Sequence, residues 1–109
     1  MSHRGAIVVV ALPGDYGKPR PALVVQADDA SDLPSRIVCP LTSDVHLEAT
    51  LYRPVIEPTV GNGLRGLSQV MLDKPHVVSM AKIGPPVGTL EPDRMAEVNI
   101  RFAQLLGLL

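Results

Sequence analysis

The stretch "GKPRPALVV", Gly17 to Val25, sets Lys18 and Arg20 around Pro19 and Pro21, immediately ahead of an apolar, β-branched run. A residue followed by proline is pushed towards extended backbone, and proline in a sheet is tolerated mainly at a strand's first position or on a free edge. The stretch therefore predicts a strand with Arg20 at its mouth. There the guanidinium, a planar fork of donors suited to phosphate or carboxylate, would face an anion in a fixed direction. Taken alone, these residues favour a solvated surface arginine, because long charged side chains are mostly exposed.

Outward from this stretch, the chain alternates short β-branched runs with clusters of Pro, Gly, Asp and Ser, the pattern of small β-barrels and sandwiches. Strands are predicted at Ala6 to Leu12, Ala22 to Ala27, Ile37 to Thr42, Leu51 to Ile56, Ser68 to Leu72 and His76 to Met80. Most prolines fall at run boundaries, where a missing amide donor costs least. Pro40, inside "VCPLTS", is the exception and predicts an edge or a bulge. Near the C-terminus, Met95, Val98, Phe102, Leu105 and Leu106 recur at helical spacing, with Pro92 suited to the first turn and Gly107 to the stop. The expectation is a mainly β single domain over residues 1–109 with a C-terminal helix.

Composition narrows the function. The chain has 109 residues, 46% of them hydrophobic, enough for one core. Apolar runs such as "AIVVVAL" are too short to span a bilayer and "MSHRG" carries no signal-peptide pattern, so a cytoplasmic protein is expected. The single cysteine, Cys39, reads as a buried thiol, and His3, His46 and His76 lack metal-ligand spacing, so neither metal nor other cofactor is expected. A net charge of −1 argues against gripping long nucleic acid by electrostatics, and 3% aromatic content argues against a base-stacking platform. Any nucleic-acid site must be local.

Two further polar stretches bear on such a site. "CPLTSD" ends an apolar strand with Thr42 and Ser43, while "GNGLRGLSQVMLDK" sets glycines around Arg65 ahead of Ser68 and Gln69. Singly, the hydroxyls read as turn chemistry, Arg65 as a solvated loop charge, and Ser68 and Gln69 as outward-facing strand positions.

In order, "RPALVV", "IVCPLTS", "GLRGLSQVMLDK" and "KIGPPVGTL" before a final helix resemble the MazF/PemK family of toxin endoribonucleases from type II toxin–antitoxin pairs. The resemblance covers essentially the whole chain. It implies a compact SH3-like β-barrel, paired as a homodimer, that cleaves single-stranded RNA at short sequences without metal and is held inactive by a MazE-like antitoxin. The family's active-site arginine at the head of the second strand matches Arg20, and its threonine in the "P-x-T" strand end matches Thr42. These are the expected catalytic residues, with Lys18, Ser43, His46, Arg65, Ser68 and Gln69 expected to bind substrate.

The resemblance has a gap. Some members carry an arginine and an aspartate just before the glutamine of the later strand, where this chain has Gly66 and Ser68, which leaves the general base unassigned. Asp44, His46 and Glu48 follow Thr42, and only the imidazole has an ordinary pKa suited to proton transfer near neutrality. Two other classes share the fold. A gyrase-poisoning toxin of the CcdB type depends on a C-terminal tryptophan motif, and this chain has no tryptophan. A non-catalytic SH3-like binding module needs neither Arg20 nor Thr42 for chemistry.

Overall fold

The computed structural model describes residues 3–15 and 17–109; Met1, Ser2 and Tyr16, the last among the aromatic residues counted above, lie outside the described residues. Seven strands form one curled antiparallel sheet. They are β1 (Ala6–Ala11), β2 (Pro19–Val24), β3 (Ser35–Thr42), β4 (Val55–Ile56), β5 (Ser68–Val70), β6 (His76–Ser79) and β7 (Gly88–Thr89), followed by helix α1 (Pro92–Leu105). The order is β4-β5-β3-β2-β1-β7, with β6 also paired to β3.

Both faces of β1 and β2 are covered, which explains why their sequences read as continuous apolar runs rather than alternating ones. One face sends Ile7, Leu23, Val25, Cys39 and Leu41 into a core completed by Ile56, Val70, Leu72, Leu90 and Val98, with Met95, Phe102 and Leu105 of α1 packed against it. The opposite face sends Ala6, Val8, Val10, Ala22, Val24 and Val38 into a second core closed by Leu12, Val78 and Ile83. Burial pushes the Cys39 thiol up to about 12, as expected for an inert packed cysteine.

The helix begins at Pro92 as expected, and its end has a defined geometry. Leu108 N–H donates to Ala103 O and Gly107 N–H to Gln104 O, with Gly107 at φ 74°, the paired bonds of a Schellman stop. Leu106, expected on the buried face, lies just past the last turn and is exposed.

Several strand expectations change: β2 runs Pro19–Val24 rather than Ala22 to Ala27, and β5 ends at Val70 rather than Leu72. Leu51 to Pro54 are irregular, so β4 is only two residues long, and β7 was not foreseen because "VGTL" is too short and glycine-rich to read as a strand. Pro40 lies on an interior strand rather than an edge. Its Cα partner on β2 is Ala22, while the other side of β3 pairs with β6 as far as Val38 and with β5 from Leu41. Pro40 thus falls where β3 changes partner, and its carbonyl accepts from Met71 N–H at 2.9 Å.

Candidate active site

The two prolines that frame Arg20 also explain the cleft beside it. β2 pairs with β1 from Pro19 to Leu23, but its ladder with β3 begins only at Ala22, opposite Pro40. Pro19 and Pro21 have no amide hydrogen to extend that ladder. Arg20 lies two residues before Ala22 on β2 and Thr42 two residues after Pro40 on β3, so both flank the opening where the ladder ends. The gap is a cavity of about 410 Å³ lined by Lys18, Pro19, Arg20, Pro21, Leu41, Thr42, Ser43 and Ser68, with Gly14 and Asp15 at its rim.

Arg20 is held rather than free. Its Nη2 donates to Asp15 Oδ1 at 3.0 Å, with side-chain exposures of 34% for Arg20 and 17% for Asp15. Asp15 is fixed in turn, since its N–H donates to Leu12 O and its carbonyl accepts from Lys18 N–H. One carboxylate oxygen therefore orients the guanidinium and leaves other N–H donors of the fork for an anion. Thr42 is half-buried and its Oγ1 accepts from Asp44 N–H at 3.1 Å, leaving its own proton free to be donated. Ser68 is buried on the cleft wall and donates to Gly66 O at 3.0 Å. Lys18 and Ser43 are exposed on the same wall. Arg65 lines an adjoining cavity of about 640 Å³ that shares Pro19, Pro21, Ser43 and Ser68 with the first. Among the described residues Arg65 makes no ion pair.

Gln69 and His46 stand apart from this cleft. Far from facing outward, Gln69 is 1% exposed, and its side chain holds the loop after Thr42: Oε1 accepts from His46 N–H at 2.7 Å while Nε2 donates to the carbonyls of His46, Ala49 and Arg53. Ser68 is likewise turned inward. The His46 ring sits between Asp44 Oδ2 and Glu48 Oε1, each 3.3 Å away. The hydrogen bond and charge of Asp44, then the charge of Glu48, raise its pKa above the ordinary imidazole value, which disfavours the unprotonated form that a general base requires. Arg53 is bound by two contacts to Asp73, at 2.9 and 2.8 Å.

Sequence reasoning missed Asp15, which reads as a turn residue in "LPGDYGK". It also missed a second cavity of about 310 Å³ that meets Arg20 and Asp15 and is lined by Leu12, Pro13, Pro40, Met71, Lys74 and His76. Neither follows from spacing, because both depend on where the β1–β2 turn folds back over the sheet.

Fold and cleft together define a small curled-sheet protein that presents an oriented arginine and a hydroxyl donor in an open groove. The chain belongs to the PemK-like, MazF-like toxin family of type II toxin–antitoxin systems, whose pattern matches residues 3–106. It is 36% identical over 107 residues to the probable endoribonuclease MazF of Mycolicibacterium smegmatis, covering 97% of each chain. Its fold is similar to a mycobacterial endoribonuclease in complex with its cognate antitoxin, with a TM-score of 0.83, 20% identity, and coverage of 100% of this chain and 98% of that one. A MazE–MazF complex from Deinococcus radiodurans gives a TM-score of 0.77 at 23% identity, covering 98% and 96%. These matches do not favour the binding-module or gyrase-poison readings.

Proposed function

We propose that this chain is a toxin endoribonuclease that cleaves single-stranded RNA at short sequences through attack of the RNA's own 2′-hydroxyl. The observation that carries the reading is that Arg20 and Thr42 line one groove, with Arg20 held by Asp15. The 2′-oxygen, giving up its proton to solvent, forms a bond to phosphorus as the bond to the 5′-oxygen breaks and that oxygen takes a proton from solvent, leaving a 2′,3′-cyclic phosphate and a 5′-hydroxyl. Negative charge grows on the non-bridging oxygens at the phosphorane, where a fixed cation and a hydroxyl donor stabilise it more than they stabilise the ground state. Arg20 supplies the first and Thr42 the second. Lys18, Ser43, Ser68 and Arg65 line the path along which the strand would run.

The reaction needs no metal in this reading. The protein acts as a homodimer in the cytoplasm, and a MazE-like antitoxin inhibits it by laying an acidic, amphipathic segment across the groove. The family match and the antitoxin-bound relatives support the partner, and no helix among the described residues is long and apolar enough to cross a membrane. The test is incubation of purified protein with long single-stranded RNA in EDTA, followed by analysis of fragment ends. Cyclic phosphate ends are expected; intact RNA, or cleavage abolished by the chelator, overturns the reading.

A further inference from the structure

Arg20 forms part of two cavities. One holds Thr42 and Ser68, while the other, about 310 Å³, is lined by Leu12, Pro13, Gly14, Pro40, Met71, Lys74 and His76, with Asp15 and Arg20 common to both. The second is of a size to take a nucleotide-sized group. Its lining includes the apolar side chains of Leu12, Pro13, Pro40 and Met71. It is also lined by two polar groups, Lys74 and His76, that the reaction at Thr42 does not use.

Lys74 is exposed and, among the described residues, has no carboxylate within ion-pair distance; its neighbour Asp73 is taken by Arg53. His76 is half-buried, and its Nδ1 lies 2.9 Å from Lys74 O. A carbonyl oxygen only accepts, so Nδ1 carries the proton in this contact, and in that tautomer Nε2 is an acceptor. An ammonium, a ring-nitrogen acceptor and apolar lining side chains beside Arg20 match the parts of a nucleotide: phosphate, base amino group and the flat face of the base.

We infer that this cavity is a subsite for the nucleotide that flanks the cleaved bond on the far side of Arg20 from Thr42. Lys74 contacts that nucleotide's phosphate. His76 Nε2 accepts from an exocyclic amine, so the subsite takes adenine, cytosine or guanine in preference to uracil, which has none. The inference rests on the proposed ribonuclease reading and adds a specificity-determining residue to it.

The test uses the full chain and fluorescein-labelled, 2′-O-methylated single-stranded RNAs, which bind but cannot attack themselves. Affinity is read across a salt series for wild type, Lys74→Gln, Lys74→Arg, His76→Ala and His76→Gln, with thermal melts alongside. Lys74→Gln is expected to weaken every RNA about three- to ten-fold and to make the slope of log affinity against log salt shallower by about 0.7, the loss of one phosphate contact. Lys74→Arg restores the slope. His76→Ala removes the preference for amine-bearing tracts over uridine tracts, and His76→Gln, which keeps an acceptor, retains part of it. Wild-type slope in Lys74→Gln together with unchanged base preference in His76→Ala overturns the subsite. A wild type that binds these RNAs yet leaves unmodified RNA uncut sinks the proposed activity, and these same affinities still decide the subsite.

Discussion

At the scale of single residues, Arg20 is the point on which function and stability separate. Loss of one preorganised donor to a developing oxyanion typically slows a reaction about 100- to 1,000-fold, and that is the expected effect of Arg20→Ala in single-turnover RNA cleavage. Arg20→Lys keeps the charge without the fork and is expected to recover only part of the rate. Thr42→Val removes the hydroxyl and is expected to fall in the same range. The sequence alone predicts that Arg20→Ala shifts stability by no more than ~0.5 kcal/mol, but the pairing with the mostly buried Asp15 alters that expectation. Truncation strands a carboxylate, so a cost of about 1 kcal/mol is expected, read as a melting temperature lower by roughly 4–8 °C. Arg20→Ala cutting within a few-fold of wild type would make Arg20 an ordinary surface arginine. Gln69 shows the reverse behaviour: Gln69→Ala leaves four loop backbone groups without their partner and is expected to destabilise by about 2 kcal/mol, with faster hydrogen exchange over residues 43–53.

At the scale of elements, the sequence showed what local chemistry determines. β1, β2, β3 and α1 were legible because long apolar runs, proline placement and helical spacing act over a few residues. β7 was not, because its two residues become a strand only by pairing with the distant β1, at a corner where another loop comes close. A Cβ on Gly63 would fall onto the Val87 carbonyl, and one on Gly88 onto the Asn62 and Gly61 backbone. Gly63 is also at φ 71°. Buried Asn62 locks this corner, accepting from the Thr59 and Leu64 amides and donating to Glu57 O and to Glu91 at the start of α1. Gly63→Ala and Gly88→Ala are therefore expected to cost about 2 kcal/mol or more, whereas Gly66→Ala, with open space around its Cβ position, stays within ~0.5 kcal/mol; chemical denaturation of the three variants checks this. The same corner and the Arg53–Asp73 pair set the acid limit. Hydrogen bonds from Thr59 lower the Glu91 pKa, and those from Arg53 lower that of Asp73, so both stabilise the fold above their unfolded values near pH 4 and lose that contribution as pH falls through their folded values. His46 runs the other way: its raised pKa favours the fold below about pH 6.5, and this is lost as pH rises through the folded value. Melting temperatures from pH 3 to pH 8 should therefore fall steeply only at the acid end, and Asp73→Asn should flatten that fall.

At the scale of the whole molecule, the described surface leaves apolar side chains that neither core accounts for. Ile37 and Val77 are cross-strand partners on β3 and β6, yet they are 39% and 71% exposed. Ile100 on α1 and Leu106, Leu108 and Leu109 beyond it are exposed as well. Single exposed aliphatics are ordinary, but a cross-strand pair on a sheet face is where a two-fold partner gains most by excluding water. A homodimer that buries the Ile37 and Val77 face predicts that Val77→Lys, a change on an already exposed strand position, leaves the monomer folded while setting like charges against each other across the axis. Light scattering at tens of micromolar is expected to show wild type mainly as dimer, since an affinity of ~1 μM or better suffices at that concentration, and Val77→Lys mainly as monomer with a normal circular dichroism spectrum. A wild-type monomer at that concentration would remove the dimer, and a dimer retained in Val77→Lys would move the interface to the exposed face of α1, where Ile100→Lys then becomes the disrupting change.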